Sequence, residues 1–350
     1  MRENKHAYVC IMAGGSGERF WPMSRQHTPK HLLKLFSVRT LVEETVRRLE
    51  GVVPLGNVFV LTNEAQLSGT RAALPFLPPE QIIAEPAKRD TAPAAALATG
   101  LVRARDPAGV LALLPADALI KDTATFARQL ASVLQRAGRG EALLTFAIKP
   151  TYPATGFGYL EMAESLGGGF RCVKRFVEKP DRPTAERYMA GGNHAWNAGM
   201  FFWRVAAFLA EAERQAPELA AFIRDFPPGS PTAYLAQRFA ALTKISVDYA
   251  IMEKAAAVET VVAEFDWDDV GTWTALATHL PADAQGNTVR GTVVTQDAAN
   301  NIAVSNGRII ALCGVKDLVV VETPDGVLVC HRDAVQDIKQ LIPKLPPAVL

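Results

Sequence analysis

The sequence predicts an α/β fold: a mixed, mostly parallel sheet flanked by helices, followed by a small β-rich tail. Three observations predict it. Short apolar runs alternate with helix-like stretches through the first 150 residues, which implies parallel strands joined by crossover helices. A glycine-rich segment follows the first apolar run directly, and ligands of such sheets bind at the carboxyl ends of strands. Beyond Pro281 the texture changes to short β-prone runs separated by turn residues.

Each element has its own signal. Residues 8–12 form a buried strand, 41–49 a helix and 58–61 the next strand. The Ala-rich stretch 92–105 is a helix, and 110–114 is a strand running into Pro115-Ala116-Asp117. A helix over 123–135 takes Asp122 or Thr123 as its N-cap, and 142–147 is a further strand. The middle is less regular: 157–162, 171–178 and 199–203 read as strands, with helical stretches between 205 and 254. In the tail, 288–295, 301–304, 308–312, 318–322 and 327–331 are short strands, closed by a helix near 333–341. We place one domain at 1–285 and the β-rich tail at 286–350. The tail reads as a short solenoid or sandwich without a clean repeat, and is a candidate dimerisation element for a homodimer.

Composition narrows the function. With 49% hydrophobic and 21% charged residues, the chain has a real core and is not disordered. Lys and Arg number 37 against 36 acidic residues, so no charge excess points to nucleic acid. Basic groups that matter must act locally. No apolar run approaches a membrane span, and the polar start at 1–6 with its short apolar run at 7–13 does not make a signal peptide. The four cysteines form no C-x-x-C pair, which argues against a zinc knuckle or a thioredoxin-like motif. Cys10 and Cys330 read as small core residues, and free thiols fit a cytoplasmic enzyme.

The glycine-rich loop, Ala13-Gly14-Gly15-Ser16-Gly17-Glu18-Arg19, could bring backbone N–H groups close to phosphate oxygens, or be a plain tight turn. It is not a P-loop, because no Lys-Ser or Lys-Thr follows at the required spacing. It is not a dinucleotide fingerprint either. Phe20 stands where the third glycine belongs, and the second strand runs into Thr62-Asn63 without an acid. What remains is a loop with two cations, Arg19 and then Lys30, able to surround a polyanion. That suits phosphoryl or nucleotidyl transfer, where charge stabilisation and positioning do most of the work. Asp117, at a strand's carboxyl end beside this loop, is a natural Mg²⁺ ligand; alone it would read as a turn aspartate. His27 and His31 are separated by Pro29, which spoils helical zinc-ligand geometry.

Five segments in order carry a resemblance. Gly14 to Arg25 followed by Pro29-Lys30 is similar to the G-G-x-G-x-R-L-x-P-L-S…P-K signature of the sugar-1-phosphate nucleotidyltransferases. Its Trp21-Pro22 and Ser24-Arg25 are typical of the GDP-mannose branch. His31 stands where that family usually has Gln. Glu85-Pro86-Ala87-Lys88-Arg89-Asp90-Thr91-Ala92-Pro93 resembles E-P-x-x-R-N-T-A-P, with Asp90 in place of Asn. Leu114-Pro115-Ala116-Asp117 comes next. Thr155-Gly156-Phe157-Gly158-Tyr159 with Phe176-Val177-Glu178-Lys179-Pro180 resembles T-G-Y-G-Y and F-x-E-K-P. Trp196-Asn197-Ala198-Gly199-Met200-Phe201, Ser246-Val247-Asp248-Tyr249-Ala250-Ile251-Met252-Glu253-Lys254 and Trp267-Asp268-Asp269-Val270-Gly271-Thr272-Trp273 complete the set.

The resemblance implies a Rossmann-like sheet of the nucleotide-diphospho-sugar transferase type. It also implies transfer of GMP from GTP to mannose 1-phosphate, giving GDP-mannose and pyrophosphate. Arg19, Lys30 and Lys179 would be the catalytic cations. Ala13, Gly14, Gly15, Gly17, Glu85, Lys88 and Thr91 would hold the nucleotide, with Glu85 accepting from guanine N1–H and N2–H. Gly156, Glu178, Lys179 and Asn197 would hold the sugar phosphate, and Asp248 would either join them or only order a helix start. Asp117 and Asp269 would ligate Mg²⁺, with Asp268 the less favoured substitute. Trp267 and Trp273 read as packing. Two alternatives stay open: another sugar or nucleotide, such as a manno-heptose phosphate with dTTP or UTP, or a non-catalytic regulatory homologue.

Overall fold

The computed structural model describes residues 5–350; the first four positions of the polar start lie outside the described residues. The first half of the chain supplies β1 (Ala7–Met12), β2 (Val58–Asn63), β3 (Ile82–Glu85) and β4 (Val110–Pro115). They pair in parallel in the order β3-β2-β1-β4. Their near-continuous apolar runs are what a sheet covered on both faces requires. Alternate residues of β1 sort to opposite sides: Tyr8 and Cys10 enter one core, Val9 and Ile11 the other. The Ala-rich helix Thr91–Arg105 covers the first side. The helix Thr123–Arg139 covers the second with Phe126, Leu130, Val133 and Leu134, and Asp122 is its cap, accepting from Thr125 N at 3.0 Å.

The second half adds β5 (Leu143–Ile148), β6 (Tyr159–Gly167), β7 (Phe170–Val177), β8 (His194–Arg204) and β9 (Val258–Val262). β5 and β9 are parallel, whereas β8 runs antiparallel to β4, β5 and β6, and β7 antiparallel to β6 and β9. The sheet is therefore mixed, as expected, with its parallel part concentrated in the first four strands. Within the antiparallel part, Gly167, Gly168 and Gly169, all at positive φ, close β6 onto β7 as a hairpin that needs no crossover helix. The long β8 then carries Asn197 to the carboxyl end of β5, opposite Ala147. Gly156 to Gly158 remain in a loop, so the strand expected from 157 starts at Tyr159.

The tail is a short solenoid. β10 (Thr288–Arg290), β12 (Ile302–Val304) and β14 (Leu318–Thr323) stack in parallel, and β11 (Val293–Gln296) stacks in parallel on β13 (Ile310–Cys313). β15 (Gly326–His331) closes the end antiparallel to β14. The run expected as one strand over 288–295 breaks at Gly291, whose positive φ and close approach to Ser305 leave no room for a side chain. The coils differ in length, from Thr288 to Ile302 and from Ile302 to Val319, which hid the repeat. An asparagine ladder runs up the inside. Asn301 Nδ2 donates to Asn287 Oδ1 at 2.9 Å and to Val315 O at 3.2 Å, and Leu318 N donates to Asn301 Oδ1 at 2.9 Å.

One core joins the tail to the rest. Ile302, Val304, Val319, Val321 and Leu328 pack with Phe20, Trp21, Leu33, Leu35 and Trp273. No helix among the described residues is long and apolar enough to cross a membrane.

Asn301 is fully buried, so Asn301→Ala strands two backbone groups, Val315 O and Leu318 N, and the Asn287 side chain at once. We expect a loss of about 2–4 kcal/mol, read as a lower urea midpoint with an unchanged slope.

Candidate active site

The loop after β1 opens into a cleft of about 470 Å³ at the carboxyl ends of β1, β3 and β4. Ala13, Gly14, Gly15, Glu85, Lys88, Thr91 and Asp117 are all among its lining residues. Glu85 ends β3 and turns its carboxylate toward Gly14: a Cβ on that glycine would lie 4.0 Å from Glu85 Oε2. Burial pushes the Glu85 carboxyl up to about 8. Asp90 caps the following helix, accepting from Thr91 N at 2.8 Å, at a φ of 68°. With ψ at −171° this lies outside the left-handed helical region, so the surrounding structure must hold the conformation. Gly17 has a packing role of its own. It is not on the cleft wall; its φ is 63° and its missing Cβ makes room for the backbone and Cβ of Lys30. Loop packing by itself requires a glycine there.

Beside the cleft lies a cluster of acids and cations. Lys30, only 7% exposed, places its ammonium 2.9 Å from Asp117 Oδ2 and donates to the Asp269 carbonyl. The Asp269 carboxyl is pushed up to about 6 by burial, lowered in part by Lys30 and Arg19 and raised further by Asp268 and Asp117. Arg19, Lys30, Asp117 and Asp269 thus share one field. Asp268 is occupied elsewhere: Oδ1 accepts from Val270 N at 2.6 Å, and Oδ2 pairs with His279 Nε2 at 2.8 Å. Val270 is a β-branched residue at φ 49°, an unfavourable conformation that surrounding structure must hold. Among the described residues no three His, Cys, Asp or Glu side chains gather around one point to hold a metal.

The third group lies along β8. Asn197 Oδ1 accepts from Thr145 Oγ1 at 2.7 Å, its Nδ2 donates to Asp248 Oδ1 at 3.2 Å, and its backbone N–H donates to Gly158 O at 2.8 Å. Asp248 sits in a short helix whose first N–H, from Val247, donates to Thr91 Oγ1 at 2.9 Å. The nucleotide-side helix and this group are therefore tied directly. Burial pushes the Asp248 carboxyl up to about 7, with Glu178 raising it further and Lys179 lowering it. Lys179 donates to Glu178 Oε1 at 2.6 Å, and its own N–H reaches Phe157 O at 3.2 Å. It holds φ 48° directly before Pro180, where extended backbone is the norm. Gly156 faces open space.

Sequence reasoning missed several contributors. A Cβ on Gly158 would stand 2.5 Å from Glu178 Oε2, so that glycine admits the carboxylate. Tyr152, Phe157, Trp196 and Trp267 form an aromatic seam: Tyr152 and Phe157 lie 4.9 and 5.0 Å from Trp196, and Phe157 lies 5.6 Å from Trp267. The seam connects the Gly156–Gly158 loop to the Asp268-Asp269 segment. Trp267 packs, as expected, and Trp273 is fully buried, 5.0 Å from Phe20. Gln336 of the tail accepts from Arg19 Nη1 at 3.1 Å. No local signal could have revealed that contact, because 317 positions separate the two residues.

A mixed α/β sheet with a loop of N–H groups, two cations and two carboxylates at its carboxyl edge is the framework of a nucleotidyl-transfer protein, and comparison with known proteins agrees. The chain belongs to the nucleotidyl transferase family, whose model matches residues 8–286. Residues 291–345 match a MannoseP isomerase/GMP-like beta-helix domain. The chain is similar to a mannose-1-phosphate guanylyltransferase of Klebsiella pneumoniae, 37% identical over 350 residues, covering 95% of this chain and 72% of that protein. It is also similar to the xanthan biosynthesis protein XanB of Xanthomonas campestris pv. campestris, 36% identical, covering 97% of this chain and 73% of that protein. Among solved structures, that of mannose-1-phosphate geranyltransferase from Thermus thermophilus superposes with a TM-score of 0.89. It is 32% identical and covers 97% of this chain and 99% of its own.

Glu85 gives a test of the cleft's electrostatics. Its carboxyl stays protonated to about pH 8 when folded, against 4.5 as the reference value. Only the unfolded chain releases this proton between those values, so the residue lowers stability as pH rises from about 5 to 8. Glu85→Gln should abolish that loss, on the order of 3–5 kcal/mol, and be neutral below pH 4. Urea unfolding of both proteins at pH 4, 6 and 9 checks it.

Proposed function

We infer that the protein is a mannose-1-phosphate guanylyltransferase, joining GTP and α-D-mannose 1-phosphate into GDP-mannose with release of pyrophosphate, in the cytoplasm. The observation that carries this reading is the chain of contacts Thr91–Val247–Asp248–Asn197–Gly158. It ties a nucleotide-sized cleft to a cation-bearing polar group beside the Arg19, Lys30, Asp117 and Asp269 cluster. A reaction between two anions needs that adjacency.

In this reading the β1 loop, Lys88 and Thr91 hold the nucleotide, and Glu85 meets the base. An ionised Glu85 matches guanine N1–H and N2–H together, which adenine and thymine cannot offer. Its high pKa means that guanine recruits the ionised form and expels a proton. Gly156, Glu178, Lys179 and Asn197 hold the sugar phosphate, and Asp248 orients Asn197. The sugar phosphate is already anionic near neutral pH, since phosphate monoesters have a second pKa of about 6. It attacks the α-phosphorus in line without a general base. Arg19, Lys30 and Lys179 offset the repulsion between the two substrates.

The donor set fits a divalent ion of the magnesium type. Asp117 and Asp269 are hard oxygen donors, and beyond the effect of burial Asp117 adds to the rise of the Asp269 carboxyl, a repulsion that a cation between them relieves; magnesium needs only one or two protein carboxylates. Asp269, with its carboxylate facing this field, is preferred over Asp268, which is held by Val270 and His279. Bound there, Mg²⁺ would neutralise charge on the phosphates. We assign residues 1–285 to catalysis and 286–350 to the tail. The tail's exposed Val294, Ile309, Val327 and Val329 suit contact with a second copy; sedimentation of Val327→Glu/Val329→Glu against the unmodified chain tests it.

Pyrophosphate release measured over GTP, ATP, UTP and dTTP against mannose 1-phosphate and other sugar 1-phosphates tests the function. GTP with mannose 1-phosphate should be the best pair by at least about tenfold; a better pair overturns the assignment. Asp117→Asn should lower kcat about 100-fold at saturating substrates, and Lys179→Ala should mainly raise KM for the sugar phosphate. Steady-state kinetics with each substrate varied separates the two effects. Full magnesium-dependent turnover in Asp117→Asn would remove that residue from the metal site.

A further inference from the structure

Two adjacent aspartates approach the charged cluster, and the structure treats them differently. Asp269 offers its carbonyl to Lys30, and Lys30, Asp117 and Arg19 all act on its carboxyl. Asp268 is fixed from three sides. Its main chain pairs with Leu119, two residues beyond Asp117: Leu119 N donates to Asp268 O at 2.9 Å, and Asp268 N donates to Leu119 O at 3.1 Å. Its Oδ1 accepts from Val270 N at 2.6 Å, across a turn in which Val270 holds φ 49°. Its Oδ2 meets His279 Nε2 at 2.8 Å. A Cβ on Gly271 would lie 3.0 Å from Asp269 Oδ2, so the same turn leaves room on the side where the Asp269 carboxylate lies.

A left-handed conformation at a β-branched residue does not hold itself. The bond from Val270 N to Asp268 Oδ1 favours it, but that oxygen stays in place only while the rest of the carboxylate is held. His279 holds it. A carboxylate oxygen accepts, so Nε2 carries the hydrogen. The two side chains are only 14% and 25% exposed, which limits competition from water. The ring is held in turn. His279 ends the short helix Thr274–His279, Phe36 stands edge-on to it at 5.5 Å, and Lys121 Nζ donates to the His279 carbonyl at 3.2 Å. Trp273, the residue before that helix, is fully buried. The anchor is therefore rigid at both ends, and the mechanism above gives His279 no task.

We propose that His279 is a positioning residue for the divalent ion: by donating to Asp268 Oδ2 it locks the turn 268–271 in the form that presents Asp269 beside Asp117 and Lys30. The proposal rests on the ion lying at those carboxylates, as described under the proposed function. A residue that orients a metal ligand without touching the ion changes metal affinity when it is removed. His279 acts through Asp268 and the main chain of the turn, so its loss should weaken the site without abolishing it.

The test compares the unmodified chain, His279→Leu and His279→Gln. Leucine fills much of the ring's space without a donor, and glutamine returns an N–H donor near the place of Nε2. Mn²⁺ stands in for magnesium. Its free signal in electron paramagnetic resonance is followed as each protein is titrated with GTP present and sugar phosphate absent, with GTP alone as the blank. His279→Leu should bind Mn²⁺ about tenfold more weakly, and His279→Gln should recover most of that loss. The Mg²⁺ concentration at half-maximal turnover should rise by a similar factor in His279→Leu, with KM for mannose 1-phosphate little changed. Neither a dissociation constant nor a half-saturation point depends on how much of a variant folds. Unchanged or tighter Mn²⁺ binding in His279→Leu, no recovery in His279→Gln, or no protein-dependent Mn²⁺ binding in the unmodified chain overturns the proposal. If the unmodified chain makes no product from GTP and mannose 1-phosphate, the functional assignment fails, and the Mn²⁺ titration still decides the role of His279.

Discussion

The ammonium of Lys30 is the tie on which the site depends. It reaches Asp117 on the segment after β4 and the carbonyl of Asp269 on a loop more than 230 positions away. Burial raises the Asp269 carboxyl, and Asp268 and Asp117 raise it further; burial also weakens the solvent screening between these charges. A cation fixed among them makes the arrangement tolerable. Lys30 is itself held by packing: Gly17 presses against its backbone, so loop and ammonium are positioned together. A longer residue at position 17 would move the cation before it altered anything else.

That loop is also shaped from outside the sheet. Trp21 Nε1 donates to the Val349 carbonyl at 2.9 Å, Arg25 pairs with Asp325 at 2.8 Å, and Arg19 is held by Gln336. Trp273 donates to the Trp21 carbonyl at 3.2 Å from the opposite side. The signature segment is thus clamped between the loop after Asp269 and the solenoid. Arg25, part of the same motif, turns to the tail and not to the cleft. The motif combines two tasks: its beginning approaches the ligand cleft, and its end fastens a second domain. Backbone strain at Lys179 and Val270, each next to a residue of the proposed site, fits a framework that holds its functional edge at some conformational cost.

Local signals were legible wherever physics is local. Asp122 acts as a helix cap because a side-chain oxygen can reach an N–H three residues on. The apolar runs of β1 and β4 were readable because both faces of those strands are covered. β3 and β9 were not: four- and five-residue strands are too short to show a period. The helix Glu64–Ala73 buries only Gln66 and Thr70 along its length, so it carries no apolar stripe. Gly17 and Gly158 look like ordinary loop glycines until Lys30 and Glu178 are seen against them.

The sequence by itself determined the residue types that could handle two phosphates, the alternation that makes an α/β sheet, and the family to which the chain belongs. Those properties live in side-chain chemistry and in spacings of a few residues. The tertiary structure decided which aspartate of the Asp268-Asp269 pair faces the charged cluster, that Asp248 is bound to Asn197, and that His279 holds Asp268. Each of these depends on burial and on contacts between distant segments. Desolvation and Coulomb forces act through space, and no pattern along the chain encodes which strands will bring those groups within a few ångströms of each other.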